Sequence, residues 1–224
     1  EKMLNWFKLE DFIMQHRPTF EKEEAEACYK YMLEDTFVTE FKKTRELESL
    51  ICETINCKHC FMTTSGTCAI MLSLMACDFN IGDEVIVPNY TMIATINAVK
   101  MLKLKPVIID VDKNTYTLNV DDVKKYVNEK TKCVIHVSLN NRSINLKELV
   151  KFCKSKNLKL IEDSAQSLGC KKNGKNLGTY GDIGCFSLSS PKIISTGQGG
   201  FCVTDNDKIA NKIRMIKNFG RDKS

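Results

Sequence analysis

Residues 132–163, KCVIHVSLNNRSINLKELVKFCKSKNLKLIED, decide the fold. The first eight, KCVIHVSL, form a short, mostly apolar run, and the last six, LKLIED, form another. Between them, Asn145–Ser155 places Leu146, Leu149, Val150 and Cys153 at the three- and four-residue spacing of an amphipathic helix. A strand, a helix and a strand in that order make a unit whose strands run parallel. Both runs lack polar alternation, so helices are expected on both faces of each strand.

Working outward, the same alternation recurs. Further apolar runs are CFMTT (60–64), EVIVP (84–88), PVIID (106–110), IGCFSL (183–188) and GFCVT (200–204). Helical patterns fill Thr67–Cys77, Thr91–Leu102 and Val120–Val127, and Asp207–Asn218 follows the last run. Two amphipathic segments, 21–33 and 41–55, precede the first strand. The expected fold is one α/β domain on a seven-stranded, mostly parallel sheet between helices.

Composition sets the outer limits. The 224 residues are 43% hydrophobic and 27% charged, which is globular and long enough to bury a core. The net charge of +5 is dispersed, and the absence of a long basic run argues against nucleic acid as a partner. No apolar run reaches bilayer length, so no membrane partner is expected, and no charged-then-apolar segment opens these residues. Eleven cysteines in that setting fit free thiols in a reducing compartment, and a cytoplasmic location is expected. CETINCKHC (52–60) carries Cys52, Cys57, His59 and Cys60, but only Cys57 and Cys60 have ligand-pair spacing. Reduced thiols beside a strand are preferred there over a zinc site. The chain begins at Glu1 rather than Met and stops at Ser224 soon after a helical stretch, as a fragment would.

In a parallel sheet, ligands bind outside the carboxyl ends of the strands. TTSGTCAI puts Gly66, Thr67 and Cys68 at the start of a helix, where main-chain amides suit a phosphate or simply a cap. LIEDSAQ ends a buried strand with Glu162 and Asp163 and places Gln166 three residues beyond Asp163. A carboxylate in that position is costly unless it meets a cation or donors. IGCFSLSSPK ends another strand at Ser187, with Lys192 five residues on, followed by the glycine-rich STGQGG. A lysine held out of water forms Schiff bases; most lysines are solvated surface charges.

Taken in order, these pieces resemble the DegT/DnrJ/StrS family of sugar aminotransferases. The resemblance runs from about Arg17 to Arg221 and rests on SGTCAI, GDEVIVPNYTMIATINAV, PVIIDVDKNTYTLNVDDV, LIEDSAQSLG, GTYGDIGCFSL, PKIISTGQGGFCVT and KNFGR. It implies pyridoxal 5′-phosphate (PLP) as cofactor on the aspartate-aminotransferase type of large domain. By this resemblance Lys192 is the Schiff-base lysine and proton shuttle, Asp163 the partner of the ring nitrogen, and Gln166 that of the phenolic oxygen. Thr67, the Gly66–Cys68 amides and Ser187 would hold the phosphate. Met92 stands where the family usually has an aromatic ring over the cofactor. Asn140–Asn141–Arg142 replaces a Tyr-Gly-Gln type of turn, with Asn141 expected in the left-handed conformation.

The same resemblance implies an N-terminal extension over 1–16, a PLP-binding large domain over 17–224, and a smaller C-terminal domain that these residues lack. It implies a homodimer that moves an amino group from glutamate to a nucleotide-linked keto-deoxysugar. SLNNRSINLKEL together with SSPKIISTGQGG is most similar to perosamine- and viosamine-forming members, which points to amination of a 4-keto-6-deoxy sugar, with 3-amination as the alternative. A dehydratase on the same scaffold carries histidine in place of the lysine, and Lys192 argues against it. A noncatalytic PLP-binding relative is the remaining alternative.

Overall fold

The computed structural model describes residues 18–34 and 41–221; the extension expected over 1–16 lies outside them. Two helices come first, α1 (Lys22–Leu33) and α2 (Lys42–Ile55). Strands and helices then alternate: β1 (His59–Thr63), α3 (Gly66–Met75), β2 (Glu84–Pro88), α4 (Ala94–Met101), β3 (Lys105–Ile109), α5 (Val120–Tyr126), β4 (Thr131–Val137), α6 (Leu146–Ser155) and β5 (Lys159–Asp163). A small hairpin, β6 (Lys171–Lys172) and β7 (Lys175–Asn176), precedes β8 (Ile183–Ser187), β9 (Gly200–Thr204) and α7 (Asp207–Lys217).

Short polar side chains start several helices by accepting an otherwise unpaired amide. Ser65 Oγ accepts from Cys68 N at 3.1 Å, Asn119 Oδ1 from Asp121 N at 2.8 Å, and Asn206 Oδ1 from Lys208 N at 2.9 Å. These caps begin α3, α5 and α7 within a residue or two of where the apolar periodicity begins. α2 ends at Asn56, which takes the left-handed conformation with φ 55°.

Seven strands form one sheet in the order β1-β9-β8-β5-β4-β2-β3. β3, β2, β4, β5 and β8 are mutually parallel, and β9 runs antiparallel to both β8 and β1. Helices α3, α4 and α7 cover one face, where Ile70, Val99 and Ile213 meet Val87, Ile161 and Cys185. On the other face α5 and α6 pack on β2, β4 and β5 through Val123, Leu149, Ile86 and Leu160, while α2 packs on Cys60, Phe186 and Phe201. The Phe186 and Phe201 rings stack at 4.6 Å between centroids.

One expectation needs correction. β3 is the sheet edge and is not covered on both faces: Ile108 is 51% exposed. Helix α1 buries no residue, leaving Tyr29, Met32 and Leu33 exposed. All eleven cysteines are free thiols, and among the described residues no group of His, Cys, Asp or Glu is gathered to hold a metal. Among those residues, no helix is long and apolar enough to cross a membrane.

Candidate active site

The carboxyl ends of β4, β5 and β8 and the amino end of α3 surround a cavity of about 330 Å³. It is lined by Gly66, Thr67, Met92, Asp163, Gln166, Ser187 and Lys192, together with Thr91 and Ser138, which the sequence did not single out. Cys68 is not among the lining residues. Its amide is taken by Ser65 Oγ, and its sulfur accepts from Thr64 Oγ1 at 3.3 Å. Its side chain borders a separate hollow with Met62 and Leu72.

Glycine brings the side of the cavity at the start of α3 together. A Cβ on Gly200 would lie 2.4 Å from the Ser65 carbonyl carbon, and one on Gly66 would lie 2.9 Å from Ser187 Cβ. The missing side chains let the start of α3, the end of β8 and the start of β9 approach within main-chain contact. The Gly66 and Thr67 amides then stand at a helix N-terminus beside the Ser187 hydroxyl, which is 3.1 Å from Ser189 Oγ.

Asp163, the last residue of β5, is buried, and its Oδ2 accepts from Thr95 Oγ1 at 2.7 Å while Oδ1 accepts from Ala165 N at 3.2 Å. Burial raises its pKa; the Thr95 and Ala165 hydrogen bonds and the Lys192 charge oppose that rise. Lys192 lies in the loop after β8, half-buried, and its amide donates to Ser189 O at 3.0 Å. Burial lowers its pKa, and the Asp163 charge opposes the change. The same lysine also lines a second cavity of about 360 Å³, with Asn140, Asn141, Gln166 and Ile194.

Gln166 Oε1 accepts from Asn140 N at 2.8 Å, so Nε2 is the atom this side chain can offer a ligand. Asn140 and Asn141 both take left-handed conformations, with φ 48° and 64°. Met92 is exposed at the cavity edge, its sulfur accepting from Ala94 N at 3.1 Å. Ser138, just past β4, is fully buried, and its Oγ has no hydrogen-bond partner among the described residues. A polar residue interrupting the apolar run KCVIHVSL just before its end was a signal for Ser138. Nothing in the pattern of residues 91–102 marked Thr91 or Thr95.

A seven-stranded α/β sheet of this order, open at its carboxyl ends, is the large-domain architecture of PLP-dependent transferases. Within that class the sequence matches the DegT/DnrJ/EryC1/StrS aminotransferase family over residues 18–224, and the chain belongs to it. It is 34% identical over 201 residues to the GDP-perosamine synthase of Escherichia coli O157:H7, covering 89% of this chain and 54% of that protein. It is 36% identical over 177 residues to a UDP-N-acetyl-3-dehydro-alpha-D-glucosamine 3-aminotransferase of Acidithiobacillus ferrooxidans, covering 79% of this chain and 48% of that protein. The fold superposes with a TM-score of 0.87, at 27% identity, on the crystal structure of a GDP-4-keto-6-deoxymannose-3-dehydratase with a trapped PLP-glutamate geminal diamine, covering 93% of this chain and 55% of that one. The chain thus spans about half the length of the relatives it matches.

Proposed function

We propose that the chain is the PLP-binding large domain, residues 17–224, of a nucleotide-sugar aminotransferase. It transfers the amino group of glutamate to the C4 ketone of a nucleotide-linked 4-keto-6-deoxy sugar. The observation that carries this reading is one cavity lined by both a half-buried lysine, Lys192, and a buried aspartate, Asp163.

The donor set fits PLP. An orphaned, buried Ser138 hydroxyl on the cavity wall is costly unless a ligand completes it. Gly66 and Thr67 amides with Ser187 suit the phosphate, Gln166 Nε2 suits the phenolic oxygen, and Asp163 suits a protonated ring nitrogen. The Met92 thioether can pack on the ring face. When bound, PLP supplies an aldehyde carbon and an electron-withdrawing ring. Lys192, its amine favoured in the neutral form by burial, holds the cofactor and later takes and returns a proton at the substrate carbon. Ionised Asp163 keeps the cation opposite it protonated. The second cavity beside Lys192 gives a keto sugar a way to the same amine.

Lys192 weighs against a dehydratase, and the intact set of Lys192, Asp163, Gln166 and Ser187 weighs against a noncatalytic relative. The likeness to GDP-perosamine synthase supports C4, while the likeness to a 3-aminotransferase keeps C3 as the second reading. The active unit on this reading is a homodimer, supported by the exposed Tyr29, Met32 and Leu33 of α1.

Borohydride reduction of the PLP-loaded protein fixes the cofactor mass on the peptide containing Lys192. With glutamate and matched 3-keto and 4-keto nucleotide-linked 6-deoxyhexoses, mass spectrometry and NMR find nitrogen on C4 and an equal amount of 2-oxoglutarate. Label on another peptide overturns the site; amination of only the 3-keto series moves the position to C3.

A further inference from the structure

The reading of Asp163 as the ring-nitrogen partner leaves open what holds a fully buried carboxylate ionised and correctly turned. Resting on that reading, we infer that Thr95 is a positioning residue: its hydroxyl, ordered by Thr91, locks Asp163 as an acceptor-only carboxylate toward the cavity.

Thr95 sits in the first turn of α4, on the helix layer over the Asp163 side of the sheet, and is fully buried. Its Oγ1 lies 2.7 Å from Asp163 Oδ2 and 3.0 Å from Thr91 Oγ1. A hydroxyl has one hydrogen and two lone pairs. With Asp163 ionised, that hydrogen goes to Oδ2, so Thr95 must accept from Thr91. The Thr91 hydrogen is then committed inward as well. Thr91 lines the cavity and presents only lone pairs to it. A proton on Asp163 Oδ2 reverses the sequence: Asp163 would donate to Thr95, and Thr95 to Thr91. The hydroxyl pair is therefore directional, and the direction in which Thr95 donates to Oδ2 favours the charged carboxylate.

The other charged and titratable neighbours of Asp163 do not supply this. Lys192, from the loop after β8, acts across the cavity and favours the charge. The Cys185 thiol, paired in register on β8, is fully buried with its pKa raised, so it stays neutral. The Ala165 amide fixes Oδ1. Among the described residues Thr95 alone fixes Oδ2, by a short hydrogen bond, and two fixed oxygens set the plane of the carboxylate. Thr91 also acquires a selectivity: it accepts from an N–H or O–H group of whatever fills the cavity.

The test compares wild type with Thr95→Val, Thr95→Ser and Thr91→Val. In the cofactor-free protein, the Asp163 carboxyl is followed through a pH titration by carbon NMR. With PLP labelled at the ring nitrogen, nitrogen NMR follows ring protonation, and PLP affinity is measured alongside. Thr95→Val should move the Asp163 titration to higher pH, let the ring nitrogen lose its proton at lower pH, and weaken PLP binding about tenfold, the value of one charge-assisted hydrogen bond. Thr95→Ser should restore all three, and Thr91→Val should move them the same way by less. An Asp163 titration unchanged in Thr95→Val, or a Thr95→Ser protein as impaired as Thr95→Val, overturns the inference. Should Thr95→Val fail to fold, an Asp163 titration in Thr91→Val identical to wild type overturns it equally. Failure of wild type to bind PLP counts against the functional reading alone, because the carboxyl titration needs no cofactor.

Discussion

Glu162 and Asp163 are adjacent on β5, both almost wholly buried, and they face opposite sides of the sheet. Glu162 looks toward the α5/α6 side. Its Oε2 accepts from Gly178 N at 2.9 Å, and its Oε1 from Tyr180 N at 2.6 Å and Gly181 N at 2.7 Å. The wrap is tight: a Cβ on Gly178, whose φ is 86°, would lie 2.3 Å from Phe186 Cζ. His136, its register partner on β4, is no counter-ion, because burial lowers its pKa to about 3. Asp163 has one amide, one hydroxyl and a lysine beyond an open space. A carboxylate saturated by main-chain donors holds a loop; one left half-satisfied beside a cavity awaits a cation. Burial and strand position alone do not separate the two roles.

The largest effect that would break this contrast is on turnover. Asp163→Asn keeps the shape and removes the charge, and on the proposed function kcat should fall at least ~100-fold, about 2.7 kcal/mol, with folding stability little changed. Normal turnover in steady-state assays would make Asp163 an acceptor for the turn at Ala165 and no more. Glu162→Gln should do the opposite. With the glutamine oxygen kept on the Tyr180 and Gly181 amides, its nitrogen faces the Gly178 amide, donor against donor, and leaves buried groups unpaired, so urea melts should show a loss of about 2 kcal/mol, with PLP affinity per folded molecule unchanged.

The smallest effect sharpens the contrast through pH. Burial raises both carboxyls above their ordinary values of 4.5 for Glu162 and 3.8 for Asp163. The folded state then binds these protons more tightly than the unfolded state. Their contribution is complete below the ordinary values and is lost as pH rises through the raised ones. Cofactor-free protein should therefore lose stability from this pair as pH rises across that window, and Asp163→Asn should make the decline shallower. An equal slope in the two proteins would show that Asp163 titrates normally.

Much of this architecture was legible because each strand is a short apolar run with clear bounds. LKLIED and GFCVT became β5 and β9 with shifts of a residue or less. Strand direction was not legible, since GFCVT reads alike whether its neighbours run with or against it. The hairpin of β6 and β7 was missed although Asn173-Gly174, with φ 49° and 78°, is a recognisable tight-turn pair. For the site, Lys192, Asp163, Gln166 and Ser187 do converge on one cavity, but Cys68 faces away from it. Thr95 was hidden because a buried threonine in a helical pattern looks like any small core residue; its partner lies 68 positions away. Glu162 and Asp163 were separated in the sequence by the resemblance alone; alternation along β5 places them on different faces.

The pairing of β1 with β9 joins His59 to Thr204 and Thr63 to Gly200, and so sets a schedule for biosynthesis. β1 leaves the ribosome early and can pair with β9 only after Thr204 is made. At typical elongation rates that interval is on the order of 10–30 s. Throughout it, Cys60 and Phe61 lack their β9 neighbours Val203 and Cys202, although α2 is already there to pack on Cys60, and the start of α3 cannot meet Gly200. The end of the cavity at the start of α3 is thus among the last parts of the sheet to close, and for that interval the nascent chain carries an unpaired apolar strand of the kind that chaperones protect from aggregation.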